Sequence, residues 1–77
     1  MKNVKLEFLG LDSWSRPVYE DENGRLWKDV DPRKAYAPTL CTSLNNAFDG
    51  EPDTPMSVIK AYSEVSVEFA PKRVTWD

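Results

Sequence analysis

The sequence predicts a mainly β domain: a small antiparallel sheet or partly open barrel built on a central hairpin, with at most one short helix and with α+β as the alternative. Three observations predict it. Apolar and polar residues alternate near the N-terminus, an Asn-Gly pair separates two strand-like runs, and Val65, Val67 and Phe69 alternate again near the C-terminus. With 77 residues the chain is expected to form one domain, because so short a chain buries roughly 60% of its unfolded surface and has room for one thin core.

From Lys2 to Leu9, Val4, Leu6 and Phe8 share one face while Lys5 and Glu7 take the other, as in a half-buried strand. Gly10 to Ser15 carries turn residues in Gly10, Asp12 and Ser13 and is expected to be a surface loop. Arg16 is biased toward extended geometry by the following proline, and Pro17 suits the first position of a strand continued by Val18, Tyr19 and Glu20.

Asp21-Glu22-Asn23-Gly24 is the hairpin turn, and its length sets the register. A two-residue turn would oppose Glu20 to Trp27 and Val18 to Asp29, which are poor pairs. A four-residue loop pairs Glu20 with Arg25, Tyr19 with Leu26, Val18 with Trp27 and Arg16 with Asp29. Each matched pair contributes roughly 0.2 to 1 kcal/mol, so this register is expected, with a three-residue loop pairing Tyr19 with Trp27 and Asp21 with Arg25 as the alternative. In the expected register Val18 and Trp27 share one face, and Tyr19 and Leu26 the other.

Asp31 to Pro38 reads as a proline-bounded loop carrying Arg33, Lys34 and Tyr36. Between Thr39 and Gly50, the spacing of Leu40, Leu44, Ala47 and Phe48 favours a short helix over a strand at Leu40-Cys41-Thr42. Asp49 to Pro55 is expected to be an irregular acidic loop. Thr54 and Pro55 suit a helix start, but residues 55 to 62 lean extended on Val58, Ile59 and Tyr62, and residues 63 to 70 read as a strand. Residues 71 to 77 are expected to continue an edge or to fray. No internal repeat is apparent. The expected core comprises Val4, Leu6, Phe8, Val18, Leu26, Leu44, Val65, Val67 and Phe69.

Composition argues against most catalytic classes. The absence of histidine removes the common proton shuttle and the commonest metal ligand, and one cysteine excludes an internal disulfide or a Cys-rich zinc site. Cys41, between Leu40 and Thr42, reads as a small buried hydrophobe. No glycine-rich phosphate loop is present, and carboxylate-pair chemistry needs a cleft that so short a chain rarely builds. The expectation is a protein that is not an enzyme and needs no cofactor.

The net charge of −3 is local. Residues 1 to 48 carry seven acids and seven bases, residues 49 to 70 five acids against Lys60, and residues 71 to 77 add one positive charge. Without a Lys/Arg cluster the chain lacks the footprint for nucleic acid or an anionic membrane, so neither is an expected partner. The N-terminus alternates charge with apolar residues and shows no signal peptide, so a cytoplasmic location is expected.

The first functional expectation is a protein-interaction module whose partner is another protein, met through aromatic surface or a sheet edge; edge pairing also makes a homodimer an expectation. Three tryptophans in 77 residues are a high load of the residue type that anchors interfaces. Trp14 sits among polar residues and is the leading contact, with Arg16 or Tyr36 stacked nearby, while Trp27 divides between core and contact. The alternative is a ligand-binding module for a glycan or for calcium, using Trp14 and the alternating carboxylates Asp49, Glu51 and Asp53.

Overall fold

A computed structural model describes residues 2 to 77. Six strands form one open, mixed sheet: β1 (Asn3–Leu11), β2 (Pro17–Glu20), β3 (Leu26–Asp29), β4 (Leu40–Ser43), β5 (Pro52–Pro55) and β6 (Ser66–Ala70), in the spatial order β5-β4-β3-β2-β1-β6. The chain is mainly β, and short 3-10 turns at Leu44–Asn46, Met56–Val58 and Lys60–Tyr62 are its helical pieces among the described residues.

Four pairings are antiparallel, and β1 with β6 is parallel. The parallel pair departs from the all-antiparallel expectation for a topological reason. Four successive reversals leave β5 running in the direction of β1 at the far edge, so the chain must cross a sheet face to reach the edge beside β1. That crossover, from Met56 to Val65, is also the lid of the core. Met56, Ile59, Tyr62 and Val65 pack with Val4 and Leu6 of β1, Tyr19 of β2, Trp27 of β3, Leu40 of β4, and Val67 and Phe69 of β6. Phe8 joins from β1, with its ring 5.8 Å from that of Tyr19, and Tyr19 lies 4.8 Å from Phe69.

The hairpin register is the three-residue alternative and not the expected four-residue loop. Tyr19 opposes Trp27, Val18 opposes Lys28, and the Asp21 N–H donates to Arg25 O at 3.0 Å. Tyr19 and Trp27 therefore share the core face, and Val18 and Lys28 the opposite one. The turn itself decides this. Asp21 Oδ1 accepts the N–H groups of Asn23 and Arg25, and Gly24 sits at φ 81°, the left-handed region where glycine meets no Cβ clash.

The same device occurs a second time, nine residues earlier. In Asp12-Ser13-Trp14-Ser15-Arg16, Asp12 Oδ1 accepts from the N–H groups of Trp14 and Arg16, Ser15 stands at φ 61°, and the Asp12 N–H donates to Arg16 O. The expected surface loop at 10 to 15 is thus corrected: β1 extends to Leu11 with a bulge between Phe8 and Gly10, and Asp12 is buried.

Three further expectations change. Leu40 to Ser43 is a strand, not the start of a helix, because its backbone is taken up by β3 on one side and β5 on the other. Leu44 is consequently exposed instead of in the core. Pro52–Pro55 is an edge strand within the expected acidic loop, with a register irregularity against β4, and an edge is where a sheet tolerates proline. Residues 56 to 62 form tight 3-10 turns instead of extended chain. Residues 71 to 77 neither extend the sheet nor fray: Val74 N–H donates to Tyr19 Oη, Trp76 N–H to Pro32 O, and Lys34 N–H to Asp77 Oδ1.

Candidate functional site

The Asp12 turn is anchored from below. Lys28, fully buried on β3, donates to Asp12 Oδ2 at 2.7 Å, and Arg16 Nε donates to the same oxygen at 2.8 Å. Burial alone would raise the Asp12 carboxyl, but the Lys28 and Arg16 hydrogen bonds and the two backbone N–H groups outweigh it and hold the group far below the ordinary carboxylate range. One carboxylate thereby fixes the base of the loop that displays Trp14, which is 70% exposed with the Arg16 guanidinium 5.9 Å from its ring.

The C-terminal tail carries a second ring to this turn. Trp76 Nε1 donates to Ser15 O at 2.7 Å while the Trp76 N–H donates to Pro32 O, so Trp76 spans the Asp12 turn and the 31 to 36 loop and stays half exposed. The loop adds exposed Tyr36, with the Arg33 guanidinium 4.3 Å over its ring and fixed by a two-bond ion pair to Asp31. Arg73 Nη2 donates to Arg33 O and approaches buried Asp29 Oδ2 at 3.8 Å. Burial raises the Asp29 carboxyl, and the N–H groups of Asp31 and Thr39 on Oδ1 offset this only in part. Trp14, Trp76 and Tyr36 thus belong to three segments tied together at one end of the sheet, two of the rings carrying an arginine.

Trp14, Arg16 and Tyr36 of the predicted contacts lie in this group. Trp27 does not: it is fully buried, its Nε1 donates to Asp21 Oδ2 at 3.0 Å, and its ring packs 4.9 Å from Tyr62, so it is a core residue. Asp49 comes to the Trp14 turn, accepting from the Ser13 N–H at 2.8 Å. Asp53 lines a separate polar groove of about 700 Å³ with Arg25, Asn46 and Tyr62, and Glu51 is exposed between them. The three acids therefore do not converge, and among the described residues no three Asp, Glu, Cys or His side chains gather as they would to hold a metal ion. Cys41 is buried, and burial pushes its thiol up.

Trp76 and Arg33 join the site without having been singled out. Their signal was weak: a tail tryptophan has no periodicity to place it, and Arg33 gains its role only from the fold of the 31 to 36 loop. Among the described residues no helix is long and apolar enough to cross a membrane. Comparison of the chain with protein-family models, with curated proteins and with solved structures finds no match.

Proposed function

We propose that the protein is a non-enzymatic protein-interaction module that binds its partner through the Trp14, Trp76 and Tyr36 end of the sheet. The observation that carries the reading is the pair of Trp76 hydrogen bonds, Nε1 to Ser15 O and N–H to Pro32 O, which bring the tail between two loops while leaving three large aromatics in water. Amphipathic rings held rigid and exposed are the usual anchors of interfaces, since they bury much area on binding at small entropic cost. Arg16 and Arg33 add guanidinium groups over two of the rings, suiting a segment that offers carbonyl or carboxylate acceptors beside apolar side chains.

Affinity capture from the source cells, with the intact chain and with Trp14→Ala and Trp76→Ala, tests the reading. The expected result is one set of proteins held by the intact chain and lost from both variants while their circular dichroism is unchanged; equal capture by all three overturns it. A glycan reading draws support from Asp49 beside Trp14, and titration with oligosaccharides followed by amide NMR distinguishes it: shifts confined to residues 12 to 16 and 49 favour a glycan over a protein.

A further inference from the structure

We infer that the outer edge of β6 is a second binding surface, one that takes an extended peptide of the pattern apolar-basic-apolar as a seventh strand. The inference goes beyond the reading above and uses a different part of the molecule.

Among the described residues, strand alternation shows which backbone groups of β6 point away from β1. β6 is the last strand of the sheet and pairs on one side with β1. The Ser66 N–H donates inward to Lys2 O, so by alternation Ser66, Glu68 and Ala70 direct their backbone groups to β1, and Val67 and Phe69 direct theirs outward. The two edges of the sheet differ in this respect. β5 is blunted by Pro52 and Pro55, and its register is broken between Cys41 and Ser43 of β4, whereas β6 contains no proline and pairs with β1 in unbroken register.

The side chains then set the sequence that fits. Val67 and Phe69 lean toward the core face, so peptide residues opposite them place their side chains on that face. There an open cavity of about 350 Å³ lies beside the crossover, between the β6 side of the sheet and its β4 and β5 side, lined by Val65 and Val67 on one and Leu40, Pro55 and Met56 on the other, with room for an apolar side chain. Glu68 is exposed on the opposite face, with Lys5 of β1 as its neighbour. A lysine or arginine on the far side of Glu68 completes an alternating row of cation, anion and cation. A second copy of the chain fits less well. The symmetric antiparallel register that pairs both outward residues, Val67 with Phe69, sets two Glu68 carboxylates directly opposite each other, an arrangement that destabilises.

The test uses the full chain and a blocked Ser-Thr-Val-Lys-Val-Thr-Ser peptide in amide NMR. Saturable shifts are expected at Val67 and Phe69. Replacing the peptide lysine by glutamate is expected to weaken binding about fivefold, the scale of one cross-strand charge pair. The peptide is taken as an antiparallel strand, in which the residues opposite Val67 and Phe69 direct their N–H groups to β6, so N-methylation of both valine nitrogens removes strand hydrogen bonds, leaves charge unchanged and is expected to abolish binding. In Glu68→Lys, whose side chain is exposed, the preference between the lysine and glutamate peptides is expected to invert. Absence of shifts at Val67 and Phe69, indifference to N-methylation, or an unchanged preference in Glu68→Lys overturns the inference. Sedimentation showing a dimer that protects the same two amides overturns it in favour of a second copy. Loss of the Trp14 and Trp76 partners leaves these outcomes unaffected.

Discussion

Two turns of this small domain share one backbone and differ in what lies beneath it. Asp12 to Arg16 and Asp21 to Arg25 each begin with an aspartate whose Oδ1 accepts two N–H groups, pass through a left-handed residue in the fourth position, and end on an arginine. The difference is in Oδ2. Asp12 gives it to two cations, Lys28 and Arg16, whereas Asp21 gives it to two neutral donors, Trp27 Nε1 and Tyr62 Oη. The neutral version ties a tryptophan into the core, and the ionic version holds one out of it. Local turn chemistry thus supplies the shape, and the second oxygen decides which way the turn faces.

The largest expected break in this symmetry comes from removing the charge. In Asp12→Asn the amide can still accept from the Trp14 and Arg16 N–H groups, but Lys28 is left buried without its counter-ion, so a loss of about 3 to 5 kcal/mol is expected in urea denaturation followed by tryptophan fluorescence. In Asp21→Asn no charge is stranded. Of the two donors on Oδ2, the Tyr62 hydroxyl can turn to accept from the new amide while Trp27 Nε1 loses its acceptor, and the expected loss is about 1 to 3 kcal/mol. Adding Lys28→Met to Asp12→Asn is expected to restore more than half of the deficit. Equal losses at the two aspartates, or no rescue, would show that the ion pair does not distinguish the turns.

The same two turns show what was legible in the sequence and what was not. The period-2 pattern located β1, Pro17 opened β2, and Asn23-Gly24 marked the hairpin, because these signals are local. Cross-strand side-chain pairs alone point to the wrong register, because the Asp21 carboxylate satisfies two turn amides at once and fixes a three-residue loop. The likeness of the turns was hidden because serine stands in the first where glycine stands in the second, and only φ reveals that Ser15 plays the same part. Leu40 to Ser43 carried helical spacing but was claimed by strands on both sides, a tertiary demand that no short window contains. At the candidate site, Trp14, Arg16 and Tyr36 were legible as aromatic or cationic residues in polar loops. Trp76 was not, since its place depends on a hydrogen bond to Ser15, 61 residues away.

Acid sharpens the contrast between these turns and the third buried aspartate, Asp29. Asp12 and Asp21 both titrate below the ordinary value when folded, so their contribution is complete above about pH 4 and is lost as pH falls from there toward the folded values. Asp29 titrates above it, so its sign is reversed: ionised Asp29 costs stability at neutral pH, and the cost is relieved as pH falls through its folded value. The urea midpoint is expected to fall between pH 4 and pH 2 in the wild type and to fall less in Asp12→Asn. Asp29→Asn, which keeps an acceptor for the Asp31 and Thr39 N–H groups, is expected to raise the midpoint at pH 7 and to leave it nearly unchanged at pH 3. A lower midpoint at pH 7 for Asp29→Asn would mean that the Arg73 contact at 3.8 Å outweighs the burial of the carboxylate.

The smallest expected effect is an exchange of the two left-handed residues. A side chain in the left-handed region costs roughly 1 to 2 kcal/mol, and glycine gives back roughly 0.5 to 1 kcal/mol through the freedom of its unfolded chain. Ser15→Gly is therefore expected to stabilise by about 0.5 to 1 kcal/mol, and Gly24→Ser to destabilise by a similar amount, in the same urea measurement. Ser15 O is also the acceptor for Trp76 Nε1, so a more pliant residue there loosens a contact that ties Trp76 to the Trp14 turn. If the exposed rings serve binding, Ser15→Gly should be more stable and yet capture less partner, whereas Gly24→Ser, in the turn whose tryptophan is buried, should lose stability and keep its partner. Stability and capture moving together in both variants would mean that serine's strain at position 15 has no bearing on how the aromatic end is presented.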